Sequence, residues 1–150
     1  MNYPKMLEKI LSKQEFAGSS PELYHDDNTL LRHLLNMNII GQFDWKHLND
    51  VSLYNFIDER MCAIDSKGLE PIGLMPTSAS NYYMKLYPSG RVNYASFVLR
   101  YYDRMMKNVG LRLLHINLED DSYNIVVVKS ANVSKLKRIK TDFWKYLEIK

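Results

Sequence analysis

One cysteine in 150 residues, Cys62, leaves this chain with no partner for an internal disulfide and without the thiolates of a zinc cage. It lies between Met61 and Ala63 in a predicted helix, where the expectation is a buried, unreactive thiol. The 4 histidines are as unhelpful for metal chemistry: His25, His33, His47 and His115 fall on four different predicted elements. No two have the spacing that places a pair of imidazoles on one helical face. Glycine is sparse too, at 6 residues. No glycine-rich phosphate loop exists, since "YPSGR" holds a single glycine and follows no convincing buried strand. No run approaches the ~20 apolar residues of a membrane span. The first residues, "MNYPKMLEKILSKQEF", interleave lysines with apolar residues and lack the unbroken core of a signal peptide. A cytoplasmic protein is therefore expected, with no membrane association. Internal repeats, low-complexity tracts and long linkers are also missing, which predicts one domain over residues 1–150. These absences together predict a non-enzyme with no catalytic residues, no metal and no cofactor.

What is present suits an ordinary folded domain. An apolar fraction of 46% with 25% charged residues argues against disorder. A chain of this length buries roughly two thirds of its unfolded surface and needs no staple. The net charge of +3 is unevenly spread: residues 1–70 hold 7 Lys/Arg against 11 Asp/Glu, and residues 129–150 hold 7 against 2. The basic end suits an anionic partner or, more simply, a solvated helix face.

Periodicity predicts about five helices packed on a small, mostly antiparallel sheet, an α+β fold. Helices are expected at Tyr3–Lys13, from "HDDN" to a stop at Gly41, at about Asp50–Asp65, at Asn93–Asn108, and from Asn132 or Ser134 to about Leu147. The second is capped by Asn28 or Asp27. The third exposes Asn55, Asp58, Glu59 and Arg60, and the fourth turns Tyr94, Val98, Tyr101 and Met105 inward. "GLEPIGLMPTSASN" reads as an irregular loop, "QFDWKH" as a short strand or a helix approach, and "YYMKLYPSG" as a strand and turn. A β-hairpin is expected over 111–118 and 123–129. Its second strand carries "IVVV", apolar on both faces and so covered on both sides. The acidic cluster Glu119, Asp120, Asp121, Ser122 falls at the hairpin's turn, where Asp and Ser bond their own backbone. It lacks the spaced ligands of a calcium loop.

One segment stands out. Six of the 11 tyrosines lie between Tyr82 and Tyr102, interleaved with Lys85, Arg91, Arg100, Arg104 and Lys107. Such a pattern suits a helix core, a protein interface, or stacking and phosphate contacts with nucleic acid.

Two motifs resemble a bacterial family of unknown function. "LLRHLLNMNIIGQFDWKHLNDVSLYNFI" resembles its leucine-rich helix and Asp-Trp-Lys turn, here Asp44, Trp45 and Lys46. "GLRLLHINLEDDSYNIVVVKSANVSKLKRI" is similar to its ending, through Gly110, Asp121, Ser122 and Tyr123. The resemblance implies no established activity. By analogy of context, proteins of this kind are often encoded beside secreted toxins, as immunity proteins of the contact-dependent inhibition type. That reading expects a monomer bound one-to-one to a cognate toxin domain, blocking its active site. The candidate partner-binding residues are Asp26, Asp27, Asp58, Glu59 and Asp65 on the acidic side, and Tyr82, Tyr83, Tyr87 and Arg91 on the aromatic side. The alternative is a nucleic-acid-binding module built from residues 82–107 and the basic last helix.

Overall fold

Four consecutive apolar residues, Ile125, Val126, Val127 and Val128, are each 0% exposed. Alternate side chains of a strand point to opposite faces, so such a run requires cover on both sides. A computed structural model shows that cover. It describes residues 3–19, 26–44, 50–64, 72–88, 94–118, 122–139 and 145–149. The strands are β1 (Ile40–Asp44), β2 (Leu111–Asn117), β3 (Ser122–Lys129) and β4 (Lys145–Glu148). They form one sheet in the order β1-β3-β2-β4, with every neighbouring pair antiparallel. The apolar run of β3 lies between two strands, with Val126 opposite both Ile40 and Leu114.

The helices are α1 (Tyr3–Ile10), α2 (Lys13–Ala17), α3 (Asp27–Asn36), α4 (Asp50–Ile64), α5 (Thr77–Leu86), α6 (Tyr94–Lys107) and α7 (Val133–Lys137). Met6 and Ile10 of α1, Leu30 and Leu34 of α3, and Leu136 of α7 pack on Leu114, Ile116, Val126 and Val128. Leu53 and Ile57 of α4 and Val98, Leu99, Tyr102 and Met106 of α6 pack on Leu113, Ile125 and Val127, the other face. Each such side chain contributes roughly 1.5–3 kcal/mol when buried, so the two helical layers hold the sheet. The class is α+β in one small domain, as the periodicity predicted.

Several elements differ from expectation. The first helix breaks after Ile10, because Ser12 caps a new helix: its Oγ accepts from Glu15 N at 3.1 Å while Glu15 Oε1 accepts from Ser12 N at 2.9 Å. Helix α3 is capped by Asp26 and not by its two successors, with Thr29 N donating to its carboxylate at 2.8 Å. That helix ends at Asn36, where Asn38 takes a left-handed φ of 55°, a conformation asparagine tolerates. Gly41 is no helix stop; it lies in β1, where an added Cβ would come within 2.7 Å of the Phe43 ring and 3.0 Å of Phe56.

"YYMKL" is helical and belongs to α5, which starts inside the expected loop. Helix α6 lies within a residue of its expected bounds at each end but turns Ala95, Val98, Leu99, Tyr102 and Met106 inward, a face shifted by one residue. The last helix stops at Lys137, and the chain returns as β4, with Tyr146 opposite Ile116. The hairpin is observed as 111–117 and 122–129, within a residue of expectation. Its turn residues Glu119, Asp120 and Asp121 lie outside the described residues, as do Trp45 and Lys46.

Candidate partner-binding surface

Helix α5 is held by a single ring. Tyr83 is fully buried, with its centroid 5.0 Å from Tyr87, 5.2 Å from Tyr94 and 5.0 Å from Phe97. It is the one buried residue of the helix, so the remaining side chains of α5 are at least partly open to solvent. The segment leading into α5 is fixed separately, by Ile72 and Met75 in the core and by Met75 N donating to Tyr102 Oη at 2.9 Å. Burial raises the Tyr102 hydroxyl pKa, so that oxygen stays protonated.

The outward side of this arrangement is unusually apolar. Of the eight large hydrophobic residues exposed among the described ones, five fall in this stretch: Leu74, Tyr82, Met84, Leu86 and Tyr87. Tyr82 is the most open, at 59% exposure. Single exposed apolar residues need no explanation, but Tyr82 and Leu86 stand one turn apart and so side by side on α5, and adjoining exposed apolar residues mark an interaction site. Beside them runs a groove of about 460 Å³ between α5 and α6, lined by Ser78, Ala79, Tyr82, Phe97, Arg100, Tyr101 and Arg104. Arg100 and Arg104, both exposed, make its α6 wall cationic. Rigid aromatic anchors beside arginines are the composition of interface hot spots.

The expected site residues divide sharply. Tyr82 and Tyr87 are on this surface, whereas Tyr83 is interior and acts as its anchor, a correction to its expected exposure. Arg91 and Asp65 lie outside the described residues. The acidic residues are not brought together. Asp26 is occupied in capping α3, and Asp27 accepts from the Tyr3 hydroxyl at 2.7 Å. Burial and then that bond push the Tyr3 pKa up to about 12. Asp58 and Glu59 belong to α4, in the opposite helical layer. Arg60, expected on the same polar face of α4, is only 4% exposed and pairs with Glu15 at 2.7 Å. Leu74, Met84 and Leu86 were missed, because apolar residues at no regular spacing read as loop or strand.

Cys62 is exposed, contrary to the expected buried thiol. A thiol-specific reagent should therefore label it to completion in the folded protein, at a rate unchanged by mild denaturant; protection until unfolding would contradict the exposed position. Among the described residues, no group of three or more His, Cys, Asp and Glu is placed to hold a metal ion. No helix among them is long and apolar enough to cross a membrane.

The family described as "Domain of unknown function (DUF6630)" matches residues 7–145. The chain belongs to that family. The DUF6630 match starts within α1 and ends at the first residue of β4, so α2 to α7 and strands β1 to β3 fall inside it. The α5–α6 surface is part of the DUF6630 unit and not an appendage to it. No curated protein and no solved structure matches the chain.

Proposed function

We propose that this protein is an immunity protein, which binds a cognate toxin domain one-to-one and occludes its active site. The observation that carries the reading is the set of exposed apolar and aromatic side chains on and beside α5, with Tyr82 next to Arg100 and Arg104 of α6. Such a surface is costly to leave in water and suits a protein partner with an apolar, acidic contact surface. The acidic residues Asp26, Asp27, Asp58 and Glu59 are divided between two layers, so the binding surface is assigned to α5 and α6. Nucleic acid is the weaker reading. It needs a continuous basic track, but α6 and the basic helix α7 cover opposite faces of the sheet.

Co-expression with the toxin domain encoded beside it is the test. Cells should survive with this protein and die without it. Tyr82→Ala combined with Arg104→Glu should abolish protection, while changing stability by no more than about 0.5 kcal/mol, because both side chains are exposed. Direct binding should weaken by about 2 kcal/mol or more, some thirtyfold, for loss of such an anchor. Equal death with and without the protein would sink the proposal.

A further inference from the structure

Helix α6 carries three cations, Arg100, Arg104 and Lys107, and a single acid, Asp103. Asp103 is buried, and Arg112 donates to both of its carboxylate oxygens at 3.0 Å. No carboxylate of α6 is therefore left to balance the cations on its outer side. Arg100 and Arg104 stand one turn apart, where like charges repel and weaken a helix. Neither guanidinium forms an ion pair or a hydrogen bond among the described residues.

Phe97 and Tyr101 have the same spacing as the two arginines. Helix α6 thus lines its groove with two rings and two guanidiniums in adjoining rows. Tyr82 lines the groove from α5. Neither its hydroxyl nor that of Tyr101 has a hydrogen-bond partner among the described residues. At about 460 Å³ the groove is large enough for a ligand or an anchoring side chain.

We infer, on the reading of α5 and α6 as the binding surface, that the partner seats a carboxylate on Arg100 and Arg104. The acid's neighbour in the partner chain is an aromatic residue that packs on Tyr82 and Phe97. A guanidinium matches a carboxylate with two parallel N–H donors, and an added ring makes the offset or edge-on contacts that aromatic pairs prefer. One turn beyond Tyr82, exposed Leu86 continues the apolar surface. A polypeptide covers that extension, whereas a small free anion leaves it in water.

The probe is the blocked peptide acetyl-Gly-Trp-Glu-Gly-amide, titrated into the full-length protein and followed by NMR. It should bind saturably in the millimolar range and shift the signals of Tyr82, Arg100 and Arg104. Replacing its glutamate by glutamine should weaken binding about fivefold, the upper range for an exposed ion pair. Arg100→Lys combined with Arg104→Lys keeps the charge but loses the planar forks, and should weaken binding about threefold. Equal affinity in either comparison, or no shifts in the groove at about 10 mM peptide, overturns the inference. So does adenosine monophosphate binding there more tightly than the peptide, which would make a nucleotide the occupant. Peptide binding needs no toxin, so the two proposals fail separately. A protein that binds the peptide but protects no cells loses the immunity function alone, and protection without peptide binding removes only the carboxylate site.

Discussion

Asp103→Ala is expected to destabilise the protein by about 3–5 kcal/mol, the usual cost of removing one member of a buried ion pair. Asp103 is 6% exposed and accepts from Arg112 Nε and Nη2, both at 3.0 Å, as well as from Leu113 N. Alanine leaves a partly buried guanidinium and a buried backbone N–H without their acceptor. The remaining partner of Arg112, Glu148, is 3.4 Å away, is already engaged by Lys137, and is too exposed to compensate. Arginine is not deprotonated in proteins, so the orphaned charge cannot be shed. Asp103→Asn should cost less, because one oxygen still accepts from Leu113 N. The double variant Asp103→Leu with Arg112→Met should regain much of the loss, since an apolar pair leaves no orphaned charge. Urea unfolding of the native protein, Asp103→Leu, Arg112→Met and their double variant gives the coupling, and a loss below about 1 kcal/mol for Asp103→Ala would refute the assignment.

The pair between Glu15 and Arg60 should show a comparable loss, together with a pH signature. Arg60 donates to both carboxylate oxygens of Glu15, at 2.7 and 3.1 Å, and to the carbonyl of Ile10 at 3.3 Å. It thereby joins α4 to the turn between α1 and α2. Glu15→Ala removes the guanidinium's counter-charge and the acceptor of the Ser12 N–H together. About 3 kcal/mol is expected, a fall in Tm of roughly 6–12 °C for a domain of this size.

Burial pushes the Glu15 carboxyl up, but the bonds from Arg60 and Ser12 and the guanidinium charge outweigh it, leaving the pKa below the ordinary 4.5. A lowered folded-state pKa contributes stability that is complete above the unfolded value and is lost as pH falls through the folded one. The Tm difference between the native protein and Glu15→Gln should therefore be widest near neutrality and shrink as the pH falls below 4.5. A difference that stays constant down to pH values near 3 would remove the ion pair from the account.

Much of the architecture was legible in the residues. The bounds of α4 and α6 follow from sustained helical periodicity and flanking stop signals, and the central place of β3 from "IVVV". A run apolar on both faces has one stable environment, between two covering layers. The surface was legible only in part: the density of tyrosine and arginine pointed to residues 82–107, but not to which rings face outward.

The remainder was decided by contacts between distant segments. Helix α6 is apolar around more than half its circumference, so two adjacent stripes had similar claims; docking on Leu113 and Val127 selected the one through Tyr102. Arg60 looks solvent-facing from its neighbours, and its burial depends on Glu15, 45 positions earlier. Residues near Tyr146 suit either period. They became a strand because β2 offered an edge and because the Tyr146 ring fills the core against Met6, its hydroxyl 3.0 Å from the Met6 sulfur. Local sequence determines a period and its ends, since these depend on residues within a turn or two. Which of two apolar faces is buried, which charge finds a partner, and which strand edge is filled depend on free energy available only after chain segments far apart have met.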